Sequence, residues 1–347
     1  MRKLMLTASL ALMLLGVGQG YAQKYAKISV AFYNLENLFD TQDGPNNDAD
    51  FLPNGSNQWT PERYQMKLDN MAAAINQIAE DRAPDILGVC ELENRQVLED
   101  LIAHPTLAAH GYSIVHFDSP DRRGIDCALL YRGSVFKFTD ARPHPVNISG
   151  EPEIKTRDVL EVNGTILGEP VSILVAHWPS RAGGEQISLN RRMSAAKVMK
   201  RVTDSLTSIG ADQKVILMGD FNDDPVSPSL TKGLMSKNQL DEIREGDLFN
   251  VMAKLHRQGL GTLAYRDVWN LFDNIVVTSN LIGSDLSTLK LLEDKTTKAY
   301  GRICNSSMLT QKTGQFKGYP FRTFSYGQFQ NGYSDHYPVY VYLVRQL

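Results

Sequence analysis

Short runs rich in β-branched and aromatic residues recur along the chain: KISVAFYNL, DILGVCE, YSIVHF, DCALLYR, VSILVAHW, KVILMGDF, NIVVTS and YPVYVYLV. Runs of this length, bounded by turn residues, predict buried strands. Between some of them the apolar spacing becomes helical. Leu68, Met71, Ala72, Ile75 and Ile78 line one face of a helix predicted over 61–80, which Thr60 caps and Pro61 opens. Further helices fit 94–104 and 188–208, while Asn163-Gly164 in EVNGTIL predicts a tight hairpin turn. Hairpins mixed with helical crossovers predict mixed sheets in an α/β or α+β fold. No repeat or linker divides the chain, so 24–347 reads as one domain. The Asp-, Asn-, Gly- and Pro-rich stretch 40–58 reads as a surface loop, with calcium binding by its carboxylates as the alternative.

The first residues depart from this pattern. Arg2 and Lys3 precede an apolar run from Leu4 to Val17, followed by small residues up to Ala22. That order predicts a secretory signal peptide over 1–22, cleaved near Ala22 or Gln23, and is too short for a membrane span. The expected product is an exported monomer, periplasmic or extracellular, with no stable membrane insertion. With 347 residues, 42% of them hydrophobic, the chain can bury a large core. Removing Arg2 and Lys3 takes the formal charge from −3 to −5, which excludes a protein that clings to bulk nucleic acid by charge alone. A local basic groove or a small phosphorylated substrate is compatible with it. The three cysteines include no C-x-x-C pair, and Cys90 and Cys127 sit in apolar runs as small buried hydrophobes would.

Polar side chains recur where these runs end: Asn34 in AFYNLEN, Glu91 in LGVCELEN, His177 in LVAHWPS, Asp220 and Asn222 in MGDFND, Asp273 in LFDNIVV, and Asp335 with His336 in GYSDHYPV. Singly, each is an ordinary turn or cap residue. Together they gain meaning, because strands of one sheet end side by side and bring such residues to one place. Carboxylates, amides and two histidines so gathered suit a hydrolytic metal site.

The segments FYNLEN, PDILGVCELEN, AHWPS, GDFN, FDNIVV and SDHYP, in this order, resemble the endonuclease/exonuclease/phosphatase superfamily of DNase I-like proteins. The resemblance implies a four-layer α/β/β/α sandwich of two mixed sheets flanked by helices, with an active site at one edge. It implies Mg²⁺, or Mn²⁺ in its place, held by Glu91, Asn34 and Asp335, and allows a second ion. Asp220 would activate water and Asn222 would fix the phosphate or that water. His336, oriented by Asp273, would donate to a phosphoryl oxygen, and His177 to the phosphate or leaving group. Arg157 and Arg181 are the candidate substrate contacts. Two positions depart from the family pattern: Cys90 stands where a Gln usually precedes the metal-binding Glu, and Asn274 stands where an aromatic residue or histidine is common on the substrate side.

The implied activity is metal-dependent hydrolysis of a phosphodiester or phosphomonoester by water. A secreted endonuclease-like hydrolase is the first reading, and a sphingomyelinase-like or inositol-phosphatase-like enzyme the second. A catalytically inactive binding module on the same fold is the alternative of another class. The partner is accordingly a phosphate ester: nucleic acid, phospholipid or small phosphorylated molecule. Asp223, Asp224 and Pro225 read as turn and cap residues, the basic run Arg191, Arg192, Lys197, Lys200 and Arg201 as a solvated helix face, and 318–329 as a core-packed loop.

Overall fold

The computed structural model describes residues 24–347; the expected signal peptide lies outside them. With strands numbered in chain order, the first sheet contains β1 (Tyr25–Leu38), β2 (Ile86–Leu92), β3 (Tyr112–His116), β4 (Asp126–Arg132), β14 (Lys290–Leu291), β15 (Arg302–Ile303) and β18 (Val339–Gln346). Its order is β14-β18-β1-β2-β4-β3, with β15 also on β18. The second contains β5 (Phe136–His144), β6 (Val159–Ile166), β7 (Glu169–His177), β8 (Lys214–Asp220), β9 (Ser236–Lys237), β10 (Leu248–Asn250) and β13 (Asp273–Thr278) in the order β5-β6-β7-β8-β13-β10-β9. Both are mixed: β1 with β2 and β7 with β8 run parallel, while β18 and β13 run antiparallel to their neighbours.

The inward faces of the two sheets share one core, in which Val30 and Phe32 join Val175, Ile216 and Met218. Helices α1 (Pro61–Ile75) and α2 (Arg95–Ala103) cover the outer face of the first sheet through Leu68, Met71, Leu98 and Leu101. The short helix α3 (Pro105–Ala108) follows them, and α4 (Glu185–Thr207) covers the second sheet through Ala195, Met199 and Val202. The result is the expected α/β/β/α sandwich. The Thr60 hydroxyl caps α1 at Arg63 N, and Asn94 caps α2 at Val97 N.

Three local expectations are corrected. Asn163 and Gly164 lie inside β6, paired with β5, and the turn falls at Leu167-Gly168, whose φ values of 51° and 82° make the two-residue connection to β7. Gly164 answers a different need: a Cβ there would come within 2.5 Å of Lys137 O, beside a register shift between the strands. Arg192 is not on a solvated face but fully buried. The stretch 318–329 is not packed throughout, because 324–329 form a hairpin whose tip, Tyr326, is 80% exposed. Among the described residues no helix is long and apolar enough to cross a membrane.

Candidate active site

Register explains why distant residues meet. In the second sheet His177 ends β7 opposite Asp220, the last residue of β8, and Asp220 stands opposite Asp273, the first residue of antiparallel β13. In the first sheet Asn34 pairs with Cys90, so Glu91, the next residue of β2, stands at the same edge, and His336 lies just before antiparallel β18 begins. Parallel strands end, and antiparallel strands begin, along one border of the sandwich.

Local backbone then aims the side chains. Glu91 sits at a register shift with φ 59°, a left-handed value uncommon for a non-glycine residue, and such bulges redirect a side chain away from the regular pleat. Asn222 adopts φ 51° and returns its backbone N–H to Asp220 Oδ1 at 2.9 Å, while its amide donates to Trp178 O. Gly219 allows this crowding: a Cβ there would lie 2.0 Å from Ala176 O.

The side chains converge as a chain of acids and imidazoles. His177 Nε2 lies 3.6 Å from Asp220 Oδ2 and 3.9 Å from Glu91 Oε1. His336 Nε2 lies 3.8 Å from Asp220 Oδ2 and 4.0 Å from Asp335 Oδ1, while its Nδ1 donates to Asp273 Oδ2 at 2.7 Å. Asn34 donates to Asp220 Oδ2 at 3.1 Å. His177 Nδ1 and Asp273 Oδ1 are buried without a partner.

Electrostatics separate the two imidazoles. Burial, reinforced by Arg157, Arg123 and His336, holds His177 well below the ordinary histidine range, so it is neutral. Burial also opposes charge on His336, but the carboxylates of Asp273 and Asp220 overcome it and hold the ring well above that range, as an imidazolium. Burial, partly offset by His336, pushes the Asp220 carboxyl up to about 7. Burial pushes the Asp335 carboxyl up as well, yet His336 and Arg322 overcome it and keep it below the usual carboxylate range.

Arg157 and Arg181 face inward. Arg157 donates to His177 O and Trp178 O and pairs with Asp121 at 2.8 Å, so its guanidinium buttresses the backbone behind His177. Arg181 binds Asn222 O and Asp223 and lies over the Phe272 ring, bracing the GDFND turn from below. Asp223 corrects the turn-and-cap reading: it is fully buried and holds Arg192 at 2.6 Å and Ser229 Oγ at 2.5 Å. Asn274 is buried as well, bonded to Asn250 and to the carbonyls of Asp223, Leu271 and Phe272, so this departure from the family pattern supports the turn and forms no substrate-side wall. Cys90 and Cys127 are buried and unbridged, opposite one another in the β2–β4 pair.

Sequence reasoning passes over Glu36 and Arg322, and reads Arg123 only as half of a basic pair with Arg122 that could flank a groove. Glu36 stands two residues after Asn34, buried, and accepts Thr323 N at 2.6 Å. Arg123 grips Glu91 with both terminal nitrogens at 3.2 Å, and Arg322 holds Asp335 at 2.7 Å. Only the pattern of FYNLEN offered a signal, since both arginines lie in loops with no periodicity. His116, Asp118 and Asp126 form a separate group on β3, β4 and the loop between them whose ligand atoms lie within 4.8 Å of one another.

The donors at the edge fit a hard divalent cation. Glu91, Asp335 and the Asn34 carbonyl offer oxygen only, and a positive guanidinium already lies against each of the two carboxylates.

A model of the Endonuclease/Exonuclease/phosphatase family matches residues 29–345. No curated protein matches the chain. Among solved structures, D. rerio TDP2 complexed with single strand DNA product is 15% identical with a TM-score of 0.53, covering 92% of this chain and 99% of that one. An endonuclease/exonuclease/phosphatase family protein from Bacteroides thetaiotaomicron is 18% identical with a TM-score of 0.52, covering 94% and 98%. The mannosyl-6-phosphatase of Bacteroides thetaiotaomicron VPI-5482 is 17% identical with a TM-score of 0.51, covering 92% and 99%. At such identities the likeness is one of fold.

Proposed function

The chain belongs to the endonuclease/exonuclease/phosphatase family, and on that premise we propose that it is a metal-dependent phosphoesterase, exported from the cytoplasm, that hydrolyses a phosphate ester by direct attack of water. The observation that carries the reading is the pairing of Asp273 with an imidazolium, His336, 3.8 Å from a carboxyl poised near neutrality, Asp220. A base that titrates near the working pH combines a useful ionised fraction with real proton affinity.

Asp220 takes the proton of the attacking water. Its lone pairs are aimed by Asn34 Nδ2 and Asn222 N. His336 donates its Nε2–H to a non-bridging phosphoryl oxygen, where negative charge grows in the transition state, and Asp273 fixes the ring by its other nitrogen. His177 is neutral, and its Nε2–H serves the phosphate or the departing oxygen. Arg157, Arg181 and Asn222 act as positioning residues in this scheme, since their polar groups engage backbone and acids. Glu91, Asn34 and Asp335 would hold Mg²⁺ or Mn²⁺, which when bound supplies positive charge against the phosphoryl oxygens.

The test is hydrolysis of bis(4-nitrophenyl) phosphate with Mg²⁺ or Mn²⁺, then of DNA, RNA, sphingomyelin and phosphorylated small molecules. Turnover that chelation stops and either ion restores supports the reading; inertness toward every substrate replaces it with a binding module. Export is checked separately by the mass of protein recovered outside the cytoplasm, which should begin near Gln23 or Lys24; an intact Met1 contradicts it.

A further inference from the structure

Beside the acid cluster lies a cavity of about 410 Å³ bordered by Asp335 and Arg322. Two hairpins wall it. One joins β11 (Leu263–Tyr265) to β12 (Val268–Asn270) through Arg266-Asp267, with φ values of 50° and 63°. The other joins β16 (Phe324–Ser325) to β17 (Gln328–Phe329) through Tyr326-Gly327, at 50° and 71°. Both tips border the cavity, and both have the doubly left-handed turn that fixes a two-residue hairpin tightly.

These walls are anchored. Trp269 stacks on Tyr337, the neighbour of His336, with centroids 6.2 Å apart and planes 9° apart. Phe324 and Phe329 pack against buried Trp59 at 5.7 and 6.0 Å. At the base of the second hairpin, buried Lys67 donates to Thr323 Oγ1 and Tyr333 O, and Glu36 accepts Thr323 N. The cavity is thus formed before a ligand arrives, which lowers the ordering entropy of binding.

Its lining is chemically particular. Phe316 meets Tyr319 at 5.7 Å and Tyr326 at 5.8 Å, giving a continuous aromatic surface, and Tyr326 is largely exposed. Gln311, Gln315 and Gln330 add amides able both to donate and to accept. Its charges balance: Arg322 is paired with Asp335, and Arg266 stands beside Asp267. A polyanionic strand would call for a succession of unpaired cations, whereas this surface matches an uncharged ring with a flat face and hydrogen-bonding edges.

We infer that this cavity is a recognition subsite for one uncharged cyclic group, a sugar or a nucleoside, carried by the phosphate that is hydrolysed at Asp220 and His336. The inference rests on the phosphoesterase reading for the phosphate and on the cavity alone for the ring. Tyr326 and Phe316 supply the stacking face, and the glutamine amides meet the ring's polar edge. The substrate is then a small ester whose ring occupies the cavity while its phosphate lies at the strand ends.

The experiment compares wild type with Tyr326→Ala and Phe316→Ala on three Mg²⁺-dependent substrates: glucose 6-phosphate, adenosine 5′-monophosphate and glycerol 3-phosphate, which lacks a ring. The expected result is that the kcat/KM ratio of one ring-bearing ester to glycerol 3-phosphate falls at least tenfold in each variant, mainly through KM. Which ester responds separates sugar from nucleoside. A ratio unchanged in both variants overturns the inference, as does a single-stranded oligonucleotide preferred over every mononucleotide. Saturation-transfer NMR of methyl glucoside and adenosine gives a readout independent of turnover. Binding to wild type that Tyr326→Ala abolishes upholds the subsite even where all esters are inert and the phosphoesterase reading falls; absence of binding by both compounds, together with an unchanged ratio, removes the subsite while leaving that reading intact.

Discussion

Strand ends from both sheets meet at the acid cluster, whereas two hairpin tips close the cavity beside it. At the strand ends, each position is fixed by ladder register: shifting β8 by one residue would remove Asp220 from both His177 and Asp273 at once. At the hairpins, position is fixed by packing of single aromatics, Trp269 on Tyr337 and Phe324 on Trp59. Register tolerates little variation and suits chemistry that every substrate shares. Side-chain packing can be altered one residue at a time, which suits the part of the molecule that tells substrates apart.

The largest expected effects lie at the acid cluster. Asp220→Asn and His336→Ala should each lower kcat by about 10²–10⁴-fold with little change in KM, because base and donor act in the transition state. Asp273 reaches the phosphate only through His336, so Asp273→Asn and His336→Ala should be strongly non-additive in a double-mutant cycle. Additive losses would separate the two residues. Glu91→Gln should abolish turnover yet leave the thermal transition nearly in place, and full activity in that variant removes Glu91 from the site.

Next in size is an effect on the scaffold alone. The Arg192–Asp223 pair, both partners buried and 2.6 Å apart, ties α4 to the turn that follows Asp220. Arg192→Met leaves Asp223 buried with Arg181 as its remaining cation, and loss of one partner of such a pair costs about 3–5 kcal/mol. Urea unfolding should show it as a lower midpoint at unchanged slope. A loss under about 1 kcal/mol would mean that Arg181 alone compensates the charge.

How far the sequence disclosed each region follows from the same contrast. Short β-branched and aromatic runs and their polar termini made β1, β2, β7, β8 and β13 legible, and with them Asn34, Glu91, His177, Asp220 and Asp273. Helix α1 was legible through Thr60-Pro61 and its apolar face. What escaped were contacts that no local pattern carries. Arg192 looks like its solvated neighbours because burial of one basic residue in a helix depends on a carboxylate 31 positions away. The Asn-Gly pair in β6 misled because a cross-strand bulge, invisible locally, also calls for glycine. The hairpin 324–329 reads only as an aromatic-rich segment until Trp59 supplies the surface on which two of its rings pack.

The smallest expected effect concerns the energetic difference between the two regions. The cavity's formal charges cancel, two arginines against two aspartates, but the acid cluster buries a carboxyl in a setting that opposes its ionisation. With burial as the leading cause, Asp220 titrates at about 7 in the fold, against about 3.9 unfolded. Below the unfolded value both states are protonated and the group is neutral toward stability. As pH rises from there to the folded value, the unfolded chain releases its proton first, so folding weakens across that window and stays weakened above it. Asp220→Asn removes the titration. The inactive variant should therefore melt a few degrees above wild type at pH 8 in chelator, with the gap narrowing as the pH is lowered toward 5. Scanning calorimetry at the two pH values decides it. A variant less stable than wild type at pH 8 would mean that the bonds from Asn34 and Asn222 to the carboxylate outweigh its burial, and would put the acid cluster on the same footing as the cavity.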